Sequence, residues 1–224
     1  MSNTSMQENF SKDTTPELEI ITRILQGEKE LYALIVRRHN QRLYRIAMAI
    51  VNDDVEVEDV MQVAYIKAYE NLGKFAFQSS FSTWLTRILI NESLLRIRKR
   101  EKSIHLNGDT FDMKIYQQHT IESKTPVTEL LNLELKVALE QAIRQLPEKY
   151  RVVFIMREIE NMNTAETQEC LEISEVNVKV RLNRAKSMLK DSLSRLYKKE
   201  DILHFHLTRC GAMVEKVMMQ LDPR

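Results

Sequence analysis

Apolar residues recur at helical intervals along most of the chain. Leu31, Leu34 and Ile35, then Leu43, Ile46, Ala47 and Ile50, fall on one face of a 3.6-residue repeat. The polar stretch Asn52-Asp53-Asp54 interrupts that stripe with residue types that cap helices. Val57, Val60, Ala64 and Ala68 resume it until Gly73. A third helix is predicted from Ser82, with Trp84, Leu85, Ile88 and Leu89 turned inward and a basic end at Arg96, Arg98, Lys99, Arg100 and Lys102. The repeat then dissolves from about Glu101 to Thr128 into Ser, Asn, Gly, Asp, Gln and Thr around Pro126, the composition of a surface linker.

Beyond the linker, Leu131, Leu135, Ala138, Leu139, Ala142, Ile143 and Leu146 form a new stripe that stops at Pro147. Val153, Phe154, Met156 and Ile159 restart it, and two further helices are predicted over Thr164 to Leu171 and Glu175 to Leu196. These elements predict an all-α chain of two small helical domains, at 17–102 and 129–198, joined by a flexible linker at 103–128. A disordered N-terminus is expected over 1–16 and an amphipathic C-terminal extension over 199–224.

Composition agrees: glycine and proline number four each, while helix-favouring Leu, Met, Glu, Lys and Arg are abundant. The two cysteines, Cys170 and Cys210, lie far apart, so a reducing cytoplasm is the expected compartment. No apolar run is long enough to insert into a membrane, and the polar N-terminus lacks the core of a signal peptide. The net charge of +1 conceals opposite local fields, and their segregation points to function.

Three segments carry candidate chemistry. Asn161 to Lys190 reads as a helix-turn-helix, with a tight connection at Glu172-Ile173-Ser174. Ala165, Cys170, Ile173, Val178 and Leu182 are expected to pack its helices together, leaving Asn177, Lys179, Val180, Arg181, Asn183, Arg184 and Lys186 on the exposed side or its flanks. Asn and Arg read base edges, and Lys and Arg neutralise phosphates. Asp53, Asp54, Glu56, Glu58 and Asp59 form the opposite field. The first two suit the positive end of a helix dipole, whereas Asp59 and Gln62 are expected on one helix face that could meet a basic partner helix. Phe75, Phe77, Phe81 and Trp84 precede the basic run, a pairing that suits single-stranded nucleic acid. Phe81 and Trp84 are expected in the core, Phe75 and Phe77 in the loop after Gly73.

In this order the segments resemble the extracytoplasmic function branch of the sigma-70 family of bacterial sigma factors. Asp59-Val60-Met61-Gln62 with Ala64, Tyr65 and Ala68 is similar to region 2.2, and Phe81 to Leu85, Ile88, Asn91 and Arg96 to Arg100 are similar to regions 2.3 and 2.4. Leu146-Pro147, Tyr150-Arg151, Phe154, Arg157-Glu158, Val178-Lys179, Arg181-Leu182 and Arg184-Ala185-Lys186 are similar to region 4. Val63 departs from the acidic residue usual after the Gln, and Thr167-Gln168 from the usual Ile-Ala. The resemblance implies a region 2 helical bundle and a region 4 helix-turn-helix with no region 3 between them.

It further implies a factor that binds core RNA polymerase, at the β′ coiled coil and β flap, and recognises and melts promoter DNA. An anti-sigma factor is an additional candidate partner. Asp59 and Gln62 would contact polymerase; Phe75, Phe77, Asn91, Arg96 and Arg98 the minus-ten element; Lys179, Val180, Asn183 and Arg184 the minus-thirty-five element. A stand-alone helix-turn-helix regulator is the alternative, although it leaves the acidic and aromatic segments without a role. No carboxylate-His-Cys constellation or phosphate-cradling glycine loop marks an enzyme, and no cofactor is expected. His204, His206 and Cys210 lack a fourth ligand and fit no common zinc-finger spacing.

Overall fold

The computed structural model describes residues 15–107 and 127–196, together with Met213 and Lys216. The expected N-terminal tail and the C-terminal extension, with its two histidines and Cys210, fall almost wholly outside these residues. Every element among the described residues is helical.

The first domain comprises α1 (Glu17–Leu25), α2 (Tyr32–Val51), α3 (Asp54–Glu70) and α4 (Phe81–Asn107). In α1, Ile20, Ile21 and Ile24 are buried, with Glu17 and Glu19 in the first turn and Arg23 in the last, the polarity that suits the helix dipole. Gly27 at φ 111° lets the chain reverse, with the Gly27 amide bonded to Ile24 O and the Glu28 amide to Arg23 O. At the predicted polar break, Asn52 ends α2 in the left-handed region and the Asp53 carboxylate accepts the Glu56 amide at 3.0 Å to begin α3. Leu34, Ile35, Leu43, Ile46, Val57, Val60, Ala64, Leu85 and Leu89 close the core where the three long helices meet.

The second domain comprises α5 (Val127–Gln145), α6 (Glu148–Phe154), α7 (Thr164–Leu171) and α8 (Glu175–Leu196). Helix already occupies both ends of the predicted linker, since α4 runs to Asn107 and α5 begins at Val127. Pro147, which lacks an amide donor, stands at the N-cap of α6. A π-helical turn at Ile155–Ile159 follows and shifts the periodicity, so Met156 and Met162 are buried while Ile159 is exposed. Leu135, expected in the α5 stripe, is also exposed, while Ala142 of α5 and Leu146 just beyond its end are buried against Ala185 and Leu189 of α8.

The two domains touch. One apolar cluster continues from α2 and α4 into Val152, Val153, Ile155, Met156, Met162 and Cys170. Helix α2 packs on α6 and the π-turn, and α4 packs on α7.

Candidate nucleic-acid interface and docking groove

The helix-turn-helix is built by its caps. Asn163 accepts the Glu166 amide at 2.9 Å, and the Glu166 carboxylate accepts the Asn163 amide at 2.8 Å, which sets where α7 starts. From that start Thr167 and Cys170 point inward, and Ala165 faces solvent rather than the packed side expected for it. Two positions along a helix turn a side chain through about 200°, so burial of Thr167 excludes Ala165 from the same face. Thr167 is tolerated in the core because its hydroxyl donates to Asn163 O at 2.8 Å. Glu172, at φ 53°, makes the sharp turn, and the Ser174 hydroxyl accepts the Asn177 amide at the head of α8.

Helix α8 buries Val178, Ala185 and Leu189. Lys179, Val180, Asn183 and Arg184 are all exposed and form one continuous stripe, since 179/183 and 180/184 are one turn apart. Two of its cations have local partners: Lys179 lies 2.6 Å from Glu175, and Arg184 donates to the Tyr150 hydroxyl at 3.2 Å. These neighbours hold Glu175 below the usual carboxylate range and Tyr150 below the usual phenol range through their hydrogen bonds to the cations. Lys186, at 2.9 Å from Glu158, is tied back to the π-turn.

Between α2 and α3 lies an open groove of about 1070 Å³ walled by Tyr32, Val36, Met61, Tyr65 and Ile66, with Glu58 and Gln62 among its polar lining. Burial pushes the pKa of Tyr32 and Tyr65 well above the ordinary phenol value, so both remain neutral donors. Tyr32 donates to Tyr65 O at 2.7 Å, and Tyr65 to Val36 O at 3.1 Å and Asn40 Oδ1 at 3.0 Å, which fixes the groove wall. Gln62 stands at this groove. Asp59 turns toward α4 instead, and its carboxylate lies 3.8 Å from Arg96. The acidic member on the groove is Glu58, which the i,i+4 spacing to Gln62 could have identified from sequence.

The aromatic segment sorts into inner and outer rings. Phe75 is only 8% exposed, and its ring centroid lies 4.6 Å from that of Phe77, 5.5 Å from Phe81 and 5.3 Å from Trp84. Phe75 is therefore packed within the domain, not free in the loop, because three neighbouring rings offer it more apolar contact than solvent does. Phe77 is 57% exposed and sits at φ 57°, a backbone region that bulky residues rarely adopt. Trp84, expected inside, is half-buried and lines a cleft of about 340 Å³ with Lys67, Lys74, Ile88 and Asn91. Asn91 and Arg98, seven residues apart, share a side of α4 and are exposed. Arg96 lies away from them, 3.6 Å from Glu56 as well as 3.8 Å from Asp59. Lys67 and Lys74 are not among the residues singled out above from sequence; with Asn71 they recur at one-turn intervals and form a polar edge of the cleft, a pattern that spacing alone carries. Among the described residues no cluster of His, Cys, Asp and Glu could hold a metal ion.

Two family descriptions match the chain: Sigma-70 region 2 over residues 35–103, and Sigma-70, region 4 over residues 136–189. The ECF RNA polymerase sigma factor SigW of Bacillus subtilis is 31% identical over 179 residues, covering 79% of this chain and 96% of the relative. The RNA polymerase sigma-H factor of Pseudomonas aeruginosa is 28% identical, covering 80% and 94%. Among solved structures, the sigma factor RpoE in complex with the anti-sigma factor NepR from Bartonella quintana has a similar fold, with TM-score 0.60 and 18% identity over 73% of this chain and 96% of that one.

Proposed function

The chain belongs to the extracytoplasmic function branch of the sigma-70 family, and we propose how its surfaces divide the family's work. It is a sigma factor of RNA polymerase, directing transcription initiation to particular promoters. Sigma factors are not enzymes, and the chemistry of transcript synthesis belongs to the polymerase. The stand-alone regulator is not favoured, because a match covering 79% of the chain includes the first domain, for which such a regulator has no use.

The groove between α2 and α3 receives the basic β′ coiled coil of core polymerase. Its apolar wall supplies area, while Glu58 and Gln62 on the groove and Asp59 beside it supply complementary polarity, which acts mainly on encounter rate. The second domain meets the β flap and lays α8 in the major groove of the minus-thirty-five element. There Lys179 and Arg184 contact bases or phosphates, with Val180 and Asn183 on the same readout surface.

The minus-ten element is opened and held by the first domain. An unpaired base has lost a few kcal/mol of stacking, about 1–3 kcal/mol of which an aromatic platform returns. Phe77 is that platform, Phe75 supports it from beneath, and Asn91 and Arg98 with Arg96 hold the neighbouring backbone. No helix among the described residues is long and apolar enough to cross a membrane, and we place the protein in the cytoplasm with polymerase and DNA. A regulator of the anti-sigma kind, as in the complex of RpoE with NepR, is a further partner.

The observation that carries this reading is the exposed α8 stripe of Lys179, Val180, Asn183 and Arg184 in the same chain as an apolar groove and an outward Phe77. Purified protein should bind core polymerase and make it initiate on a subset of promoter fragments. Absence of both effects would refute the reading.

A further inference from the structure

Helix α8 carries two valines where a helix packed on one side normally carries polar residues. Val176 is 68% exposed and Val180 41%. At about 100° per residue they stand about 160° and 200° round the helix from buried Val178, so they straddle the line directly opposite the packed face. Asn183 and Ser187, both exposed, continue that line.

The long cations lie to either side. Lys179 and Arg184 fall about 100° and 240° from Val178. Each is drawn off the crest by a neighbour, Lys179 by Glu175 at 2.6 Å and Arg184 by the Tyr150 hydroxyl at 3.2 Å. The crest is therefore apolar and uncovered, and its flanks are basic. An isolated exposed valine is ordinary. Val55, 75% exposed, is one of that kind, set at the head of α3 between Asp54 and Glu56, whose charge opposes phosphate.

On the functional reading above, on which this inference rests, α8 enters the major groove crest first, with its flanks toward the two phosphate backbones. A valine side chain has no donor or acceptor and cannot read the hydrogen-bonding pattern of base edges. The apolar feature that the groove floor offers it is the C5-methyl group of thymine. We infer that Val176 and Val180 are specificity residues that read thymine methyl groups in the minus-thirty-five element, while Lys179 and Arg184 chiefly clamp phosphate. The two valines are about 6 Å apart along the helix axis, against about 3.4 Å per base pair, so they reach thymines one or two base pairs apart. Sequence preference then comes from the crest, and salt-dependent affinity from the flanks.

The test uses holoenzyme assembled from the full chain and core polymerase, with duplex fragments that it selects from a random pool. Each thymine of the selected upstream element is replaced in turn by deoxyuridine, which keeps every hydrogen bond and loses only the methyl group. Binding by the parent should weaken about three- to fivefold at one or two positions, as for the loss of one buried methyl group at each. Val176→Ala and Val180→Ala keep the helix, since both sites are exposed and Ala is the better helix former. Each should bind thymine and deoxyuridine templates alike at one of those positions. Lys179→Ala should instead weaken both templates equally and flatten the salt dependence. A selected upstream element without thymine, a parent indifferent to deoxyuridine at every position, or valine variants that keep full discrimination would overturn the proposal; the last result would assign the crest to a protein partner. A holoenzyme that selects no promoter fragment strikes the functional reading and this inference with it, whereas one that selects promoters but ignores the methyl groups strikes the inference alone.

Discussion

The Arg96 guanidinium lies 3.8 Å from the Asp59 carboxylate, joining a residue expected to serve DNA to one expected to serve polymerase. Both are well exposed, so the pair contributes about 0–1 kcal/mol to stability. Asp59→Lys should therefore leave thermal unfolding almost unchanged, while slowing association with core polymerase and altering its salt dependence. Binding kinetics across a salt series measure this, and parental rates at every salt concentration would remove Asp59 from the docking surface.

Phe75 and Phe77 should separate stability from melting. Truncating buried Phe75 to Ala costs about 3–5 kcal/mol of stability, as for other core aromatics. Phe77→Ala should leave the denaturation midpoint close to the parent and lose permanganate reactivity of promoter thymines on duplex templates, with partial recovery on a pre-melted bubble. Normal reactivity in a folded Phe77→Ala variant would place the melting platform elsewhere.

On α8, Arg184→Ala and Lys179→Ala are expected to weaken promoter binding by about 1–3 kcal/mol where a base contact is lost. Assayed on promoters altered base by base, a base contact shows as relaxed preference at one position, a phosphate contact as uniform weakening with a shallower salt slope. Unchanged promoter output in both variants would exclude this helix from recognition.

Cys170 provides a pH test. Burial, the largest influence, pushes its thiol from an ordinary value near 9 up to about 12 in the folded protein. Above pH 9 the unfolded chain gives up this proton while the folded chain keeps it, so the native state binds more protons and stability falls as pH rises toward 12. Denaturant titrations from about pH 8 to about pH 12, which cover that window, should show a steeper alkaline loss for the parent than for Cys170→Ala. Equal slopes would mean that Cys170 is not desolvated.

The predicted α7 and α8 bounds, Thr164 to Leu171 and Glu175 to Leu196, are those observed, and Asn52 and Asp53 cap the helices on either side of the polar break. Such features are legible because capping and helical periodicity involve residues within a few positions of one another. Spacing also put Lys179, Val180, Asn183 and Arg184 among the residues expected on the exposed side of α8 or its flanks, and the family resemblance singled out these four, which share one stripe. It could not decide that Phe75 is buried beneath Phe77, because that depends on Phe81 and Trp84 arriving from the next helix. Nor could it show Arg96 turned to Asp59, Thr167 inward in place of Ala165, or Arg45 against Glu160 from 115 positions away. Those outcomes are set by which helix faces meet once long loops have closed, where burial and charge pairing act between segments whose separation along the chain carries no periodic signal. The elements and their caps were thus determined by sequence alone, and the pairing of their faces, including the closure of one domain on the other, by tertiary packing.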